Sequence, residues 1–118
     1  LTISAYISDE VVHEDRLRLD IYRRLSQCEE AVEIYEIEEE LTDRFGELNM
    51  PTKQFIELMV IKLLALDKDI KSIMNYGQNI TFTYFNDSKE SVKSDSKDDD
   101  DIIKATLFYL RNNKRKVL

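Results

Sequence analysis

Four consecutive aspartates, Asp98 to Asp101, are the residues of this sequence that most suggest a metal site. A calcium-binding loop also needs alternating ligands, a glycine turn and a distal bidentate glutamate, and none of these accompanies the run. Exposed N–H groups and the helix dipole favour carboxylates at the start of a helix without any metal. We therefore expect the run to precede a last helix, from about Ile102 to Asn112, and we expect no metal or other cofactor.

The single cysteine and the single histidine of the chain offer no catalytic pair. Cys28 continues the apolar periodicity of a predicted helix, where a free cysteine usually behaves as a small hydrophobic residue. His13 precedes that helix and has no evident nucleophile partner. The sequence also contains no glycine-rich phosphate loop and no dinucleotide fingerprint, so we expect no enzymatic activity in this chain.

Length and composition restrict the chain to one small acidic module. It has 118 residues, 24 acidic against 17 basic side chains and a net charge of -7, with only 2 glycines and 1 proline. This length predicts a single domain over residues 1–118, and the scarcity of turn residues favours helices. An acidic chain repels nucleic acid, and with no signal peptide and no membrane-spanning run we expect a cytoplasmic protein. Because it opens on Leu1, we expect a piece of a longer protein.

Three helices are predicted after an extended lead-in over residues 1–13. The first begins near Glu14, the second ends at Gly46, and Pro51 stands in the first turn of the third. The third is apolar from Ile56 to Leu66 apart from two positions, which predicts a central core element. Apolar residues recur at spacings of three and four at Leu17, Ile21, Leu25 and Cys28 in the first helix, and at Ile34, Ile37, Leu41 and Phe45 in the second.

The pattern changes to alternation after Asp67. Residues 70–76 and 80–85 predict two strands around a turn at Gly77-Gln78-Asn79. A lone hairpin is only marginally stable, so we expect it to pack on a helix. The polar stretch 86–101 predicts a flexible acidic loop, and residues 114–118 a short strand or a frayed tail. The fold class is therefore α+β: about four helices packed with a small antiparallel hairpin or sheet.

Charge is concentrated on the first two predicted helices. Arg16, Arg23 and Arg24 form a basic face on the first helix, and between residues 29 and 47 nine acids stand against Arg44 alone. The simplest interpretation is that these charges pair with each other or face solvent, since exposed ion pairs contribute only about 0–1 kcal/mol. Nine acids in one segment also favour a docking surface for a basic protein patch, because a field of one sign steers oppositely charged partners.

Two sequence motifs, in their order and spacing along the chain, resemble those of the C-terminal domain of the bacterial transcription-repair coupling factors, the TRCF family. The first motif runs from Arg16 to Arg24, and the second, Asp43-Arg44-Phe45-Gly46, closes the acidic helix. The likeness spans Ala5 to about Ile73. The residues that carry the two motifs are Arg16, Tyr22, Arg23, Asp43, Arg44, Phe45 and Gly46.

The resemblance implies a regulatory, autoinhibitory domain of a DNA translocase involved in transcription-coupled DNA repair. Such a protein displaces stalled RNA polymerase and recruits the repair protein UvrA, and its ATP and DNA sites would lie outside this chain. In the family, the C-terminal domain docks on an N-terminal UvrB-like module and masks the UvrA-binding surface. The expected docking residues here are Glu33, Glu36, Glu40 and Asp43, helped locally by Arg44. Phe45 is expected in the core, with Gly46 setting the turn.

Two alternatives remain open at this stage. One is a direct nucleic-acid contact through Arg16, Arg23, Arg24 and the basic residues Lys114 to Lys116. The other is a purely structural cap that stabilises the translocase without making a regulated contact. Charge reversal at Glu36 and Asp43 discriminates between docking and a structural cap, since only docking requires those charges.

Overall fold

The computed structural model describes residues 5–112. Their elements, in chain order, are α1 (Asp15–Ser26), α2 (Ala31–Phe45), α3 (Met50–Asp67), β1 (Ile70–Tyr76), β2 (Asn79–Tyr84), β3 (Lys89–Lys93) and α4 (Asp99–Asn112). Four helices and a three-stranded antiparallel sheet confirm the predicted α+β class. No helix within residues 5–112 is long and apolar enough to cross a membrane.

The described chain divides into two compact units at residue 64, within helix α3. We call residues 5–63 the helical unit and residues 64–112 the sheet unit, and each is described by itself. The prediction of one regulatory domain over residues 1–118 stays a prediction.

The helical unit is built on the apolar periodicity that the sequence displays. Helices α1 and α2 begin and end close to the predicted positions, and α3 carries its proline in the first turn as expected. Phe45 is an exception to the predicted core, because it lies at the end of α2 and is only half-buried. The buried apolar side chains of the three helices are Ile21, Leu25, Ile34, Ile37, Leu41, Ile56, Val60 and Ile61.

The lead-in before α1 is not extended throughout its described part. Residues 5–8 lie outside helix and strand, and a turn follows in which the Ser8 carbonyl accepts the N–H groups of Val11 and Val12 at 3.1 and 3.0 Å. The Ile7 N–H donates to the Tyr22 hydroxyl at 2.7 Å, and the Ser8 N–H to Thr52 Oγ1 at 3.1 Å. These bonds hold the segment on α1 and α3. Residues 1–4 of the predicted lead-in lie outside the described residues.

The sheet unit confirms the predicted hairpin and adds a strand that composition did not reveal. β1 pairs with β2, and β2 pairs in turn with β3, which falls inside the stretch predicted to be a flexible loop. The prediction for 86–101 is therefore wrong over β3. Asn86 Oδ1 accepts the N–H of Ser88 at 3.0 Å, which closes a tight turn between β2 and β3. Val92 is the one residue of β3 that is half-buried, and the other four are exposed. Because few of its side chains pack against the core, the strand can have the polar composition that is typical of a loop.

Helix α4 covers one face of the sheet and begins earlier than predicted. Asp99 to Asp101 form its first turn, and the Asp98 carbonyl accepts the N–H of Ile102 at 3.0 Å. The predicted core face is confirmed, since Ile103, Leu107 and Leu110 are buried.

One aromatic contact places α4 on the sheet. The Tyr109 ring stacks on Phe82 with centroids 3.9 Å apart, and its hydroxyl lies 2.6 Å from that of Tyr84 and also contacts Glu90. Burial, followed by the contact with Glu90, raises the pKa of Tyr109, so the phenol stays protonated. The predicted closing strand or tail, residues 114–118, lies outside the described residues.

Candidate functional site

The candidate docking carboxylates share one side of helix α2. Glu33, Glu36, Glu40 and Asp43 follow each other at spacings of three, four and three, which places them in one row along the helix. We call these four residues the acidic stripe. The structure therefore brings the predicted docking residues together, but their surroundings differ from one residue to the next.

Glu40 is bound by an arginine of the neighbouring helix. Arg24 on α1 donates from Nη1 to Glu40 Oε2 at 2.6 Å and from Nη2 to Oε1 at 2.9 Å. Arg44, on the same helix as Glu40, also places its Nη1 3.6 Å from Glu40 Oε2. The hydrogen bond from Arg24 holds the pKa of Glu40 below its ordinary value. Because both carboxylate oxygens are occupied, Glu40 joins α1 to α2 and is not a free docking charge.

The other three carboxylates of the stripe form no ion pair with an arginine or lysine in the described structure. Glu33 Oε1 accepts the N–H groups of Glu30 and Glu29 at 3.0 and 3.2 Å, so this carboxylate also caps the start of α2. Glu36 and Asp43 are exposed. Glu33, Glu36 and Asp43 are thus all solvent-facing, and Glu36 and Asp43, on either side of the neutralised Glu40, are the two that no described hydrogen bond or ion pair occupies.

The predicted basic face of α1 is largely neutralised by neighbouring acids. Of the three arginines predicted for this face, Arg23 pairs with Asp20 and Arg24 with Glu40. Arg16 is exposed. Phosphate binding needs available cations, so these pairs weaken the nucleic-acid alternative within the described residues. Its other component, Lys114 to Lys116, lies outside them.

Tyr22, the aromatic residue of the first motif, has a structural role. Its hydroxyl accepts the Ile7 N–H, and its ring meets Phe55 of α3 edge-on, with centroids 5.0 Å apart and an interplanar angle of 88°. Tyr22 thus joins three segments of the helical unit through one side chain.

The second motif ends α2 in a conformation that requires glycine. Gly46 has φ of 84° and ψ of -166°, and its N–H donates to the Thr42 carbonyl at 2.9 Å. This backbone region is essentially restricted to glycine. The Arg44 guanidinium lies 5.0 Å from the centroid of the half-buried Phe45 ring. The motif therefore ends helix α2 at Gly46, and the Arg44 guanidinium lies over the Phe45 ring next to Asp43.

A groove of about 610 Å³ lies at this end of the stripe, between α2 and the start of α3. Sequence reasoning did not single out two of its residues, Glu38 and Lys53. Burial raises the pKa of the Glu38 carboxyl. Lys53 Nζ lies 3.5 Å from a Glu47 carboxylate oxygen. Both lie on helix faces where the sequence pattern does not distinguish a groove from open surface.

The side chains of the stripe are suited to binding an oppositely charged surface. Within residues 5–112, no group of three or more histidine, cysteine or acidic side chains is placed to hold a metal ion. Burial raises the pKa of the Cys28 thiol, and its Sγ lies 3.4 Å from the Arg24 carbonyl, so the thiolate is disfavoured at neutral pH. His13 is exposed.

Comparison with known families agrees with these motifs. The model of the TRCF domain matches residues 1–94. The chain belongs to the TRCF domain family. A transcription-repair-coupling factor of Helicobacter pylori strain 26695 is 45% identical over 111 residues, 94% of this chain and 11% of that protein. One from Staphylococcus haemolyticus is 28% identical over 80 residues, 68% of this chain.

The fold is also that of a solved TRCF domain. A crystal structure of the C-terminal domain of a transcription-repair coupling factor superposes with a TM-score of 0.74 at 20% identity, covering 98% of this chain and 93% of that one. The chain spans about a tenth of the length of the curated relatives it matches.

Replacing Gly46 by alanine tests the helix stop. A Cβ at this position would meet no atom within 4 Å, so the cost comes from the backbone conformation alone. We expect a loss of about 1–3 kcal/mol in the free energy of unfolding, measured by urea titration. The control is Gly77→Asn, because φ at Gly77 is 56°, a value that asparagine tolerates. Equal losses in the two variants would contradict the assignment.

A double-mutant cycle on Arg24→Ala and Glu40→Ala tests the pair between α1 and α2. More than a third of each side chain is exposed, so we expect a coupling energy of about 0.5–1 kcal/mol at neutral pH. The pKa of Glu40 is lowered on folding, so the coupling is complete above the ordinary pKa of glutamate. It disappears as the pH falls through the lowered value. Urea titrations across this range measure it.

The matched control is the same cycle on Arg23 and Asp20, a more exposed pair within α1. We expect a smaller coupling there, because neither residue joins two helices and solvent screens both. A coupling of Arg24 with Glu40 that is absent at neutral pH, or that persists unchanged in acid, would contradict the role of the pair.

Proposed function

We propose that this chain is the C-terminal regulatory domain of a transcription-repair coupling factor and that it restrains the translocase by docking on the N-terminal UvrB-like module. Docking masks the surface of that module to which UvrA binds. The observation that carries the proposal is the acidic stripe, which keeps Glu36 and Asp43 free in solvent while Glu40 is neutralised. Membership of the TRCF family supports the parentage.

Charge is the physical basis of this docking. A basic surface on the UvrB-like module would be attracted to a segment with nine acids and one arginine. Rim charges of this kind act mainly on the association rate and on partner choice, and salt screens them. Such a contact is well suited to regulation, because it is specific and still weak enough to be released.

The rest of the proposed activity belongs to the longer protein. The parent is an ATP-dependent DNA translocase, so RNA polymerase and UvrA are partners that this domain affects only indirectly. Such a protein works in the cytoplasm, where its DNA is. The domain itself binds and contributes no reacting group.

The structural cap is the competing proposal, and charge reversal separates the two. We expect Glu36→Lys with Asp43→Lys to weaken binding of this chain to the separately produced N-terminal module by at least about tenfold, measured by titration calorimetry at low salt. Two attractive charges become repulsive, while both positions are exposed and outside the buried core.

The control is Glu10→Lys with Asp67→Lys, which changes the net charge equally at two exposed positions that do not belong to the stripe. It should bind as the unmodified chain does. If reversal on the stripe leaves the affinity unchanged, docking through these charges is wrong and the cap is favoured. If both double variants weaken binding equally, net charge is responsible and the stripe has no special role.

A further inference from the structure

Strand β3 is an edge of the sheet, and its outer side is open. The sheet order is β1-β2-β3, so β3 pairs with β2 on one side only. Within residues 5–112, no hydrogen bond is formed from the outer edge of Lys89–Lys93. An edge of unpaired N–H and C=O groups is a template for one more extended chain. The backbone chemistry of this edge therefore selects an extended peptide as its ligand.

A groove lies at the C-terminal end of this edge, and its lining also includes the charged residues Asp95, Asp101 and Lys104. It has a volume of about 700 Å³ and lies between the end of β3 and helix α4, with no residue of β2 in its lining. Its strand wall includes Val92, and its helix wall includes Ala105, Phe108 and Tyr109. Phe108 is 70% exposed, a large apolar side chain with no cover in the described structure. An added strand on β3 would meet this groove with the residues that lie opposite Val92 and Lys93.

The pairing register shows which side chains of an added strand would enter the groove. Val92 pairs with Ile80, and Glu90 with Phe82, so Val92 and Glu90 point to the face of the sheet that α4 covers. Side chains alternate along a strand, so Lys89 and Lys93 point to the opposite face. A partner residue opposite Val92 would enter the groove and meet Phe108. Partner residues opposite the lysines would stay at the outer face.

The lysines give this edge a charge preference. Lys89 and Lys93 are both exposed and form no salt bridge among the described residues, and Lys89 also attracts Asp87, the salt-bridge partner of Lys71. Opposite charges directly across two strands are favourable, and like charges are unfavourable. A second copy of β3, paired antiparallel about Ser91, would place Lys89 against Lys93 of its partner. The edge therefore disfavours its own copy and favours a strand with acidic residues at those two positions.

We propose that the open edge of β3 and the groove beside α4 bind an extended acidic peptide segment of another protein by strand addition. The segment has acidic residues facing Lys89 and Lys93 and an apolar residue facing Val92. Backbone hydrogen bonds hold the segment, the groove selects the apolar side chain, and the lysines select the charge. This surface belongs to the sheet unit and is independent of the acidic stripe.

The test uses the full 118-residue chain, labelled with nitrogen-15, and the capped peptide Glu-Val-Thr-Val-Glu. This peptide reads the same in both directions, so it fits parallel and antiparallel pairing. We expect saturable shifts of the amide signals of Lys89–Lys93 and slower amide exchange along that edge. A peptide with lysine in place of both glutamates, and one with proline at its centre, should each bind at least about tenfold more weakly.

Two variants of the chain locate the site. Lys89→Glu with Lys93→Glu, and separately Phe108→Ala, should each weaken binding by about tenfold. The controls are Arg16→Glu with Lys62→Glu, which changes the net charge equally, and Phe85→Ala, which removes an aromatic side chain that is 61% exposed. Both controls should bind normally. All of these positions are exposed, so the folded state should survive.

Several results would overturn the proposal. If the amide signals of Lys89–Lys93 show no saturable shift with the peptide, the edge does not bind it, and the lysines serve only to prevent strand pairing. Equal binding of the lysine or proline peptide would exclude a charge-selective strand addition. A chain that dimerises in a sedimentation experiment, with dimerisation lost in Phe108→Ala, would identify a second copy as the occupant.

Discussion

Arg24 reaches from helix α1 to both carboxylate oxygens of Glu40 on helix α2, and the charge pattern of the candidate site depends on this contact. A bidentate arginine–carboxylate pair is directional, so it links the two helices at one defined point, while their buried apolar side chains form the core. It also neutralises the centre of the acidic stripe. The charges that remain for a partner, Glu36 and Asp43, are those that neither the arginine nor the helix cap at Glu33 uses.

Periodicity was sufficient to predict the elements that have a one-sided apolar pattern. Ile34, Ile37 and Leu41 are spaced for one helix face, and all three are buried. The alternation of Ile80, Phe82 and Tyr84 predicted β2, and these side chains are buried as well. Gly46 was predicted to end a helix and does so with a backbone conformation suited to glycine. In each case local sequence and tertiary packing favour the same structure.

The predictions that failed concern features that tertiary contacts decide. β3 has one half-buried side chain, so its strand identity comes from pairing with β2 and from the turn at Asn86, and its composition is that of a loop. Phe45 continues the apolar spacing of α2 but lies at its last residue, where the core no longer covers it. The local sequence places only Arg44 near Glu40, and the arginine that binds both of its carboxylate oxygens is 16 residues away. A candidate site chosen by charge alone therefore included a residue that the fold already uses.

Membership of the TRCF family and the unoccupied charges Glu36 and Asp43 support the proposal that this domain restrains a translocase. Removing residues 1–118 from the full-length protein and measuring UvrA binding and the ATPase rate tests it. Autoinhibition requires that both rise, because the UvrB-like module is unmasked and the translocase is released. If neither rises on deletion, the autoinhibitory role is wrong.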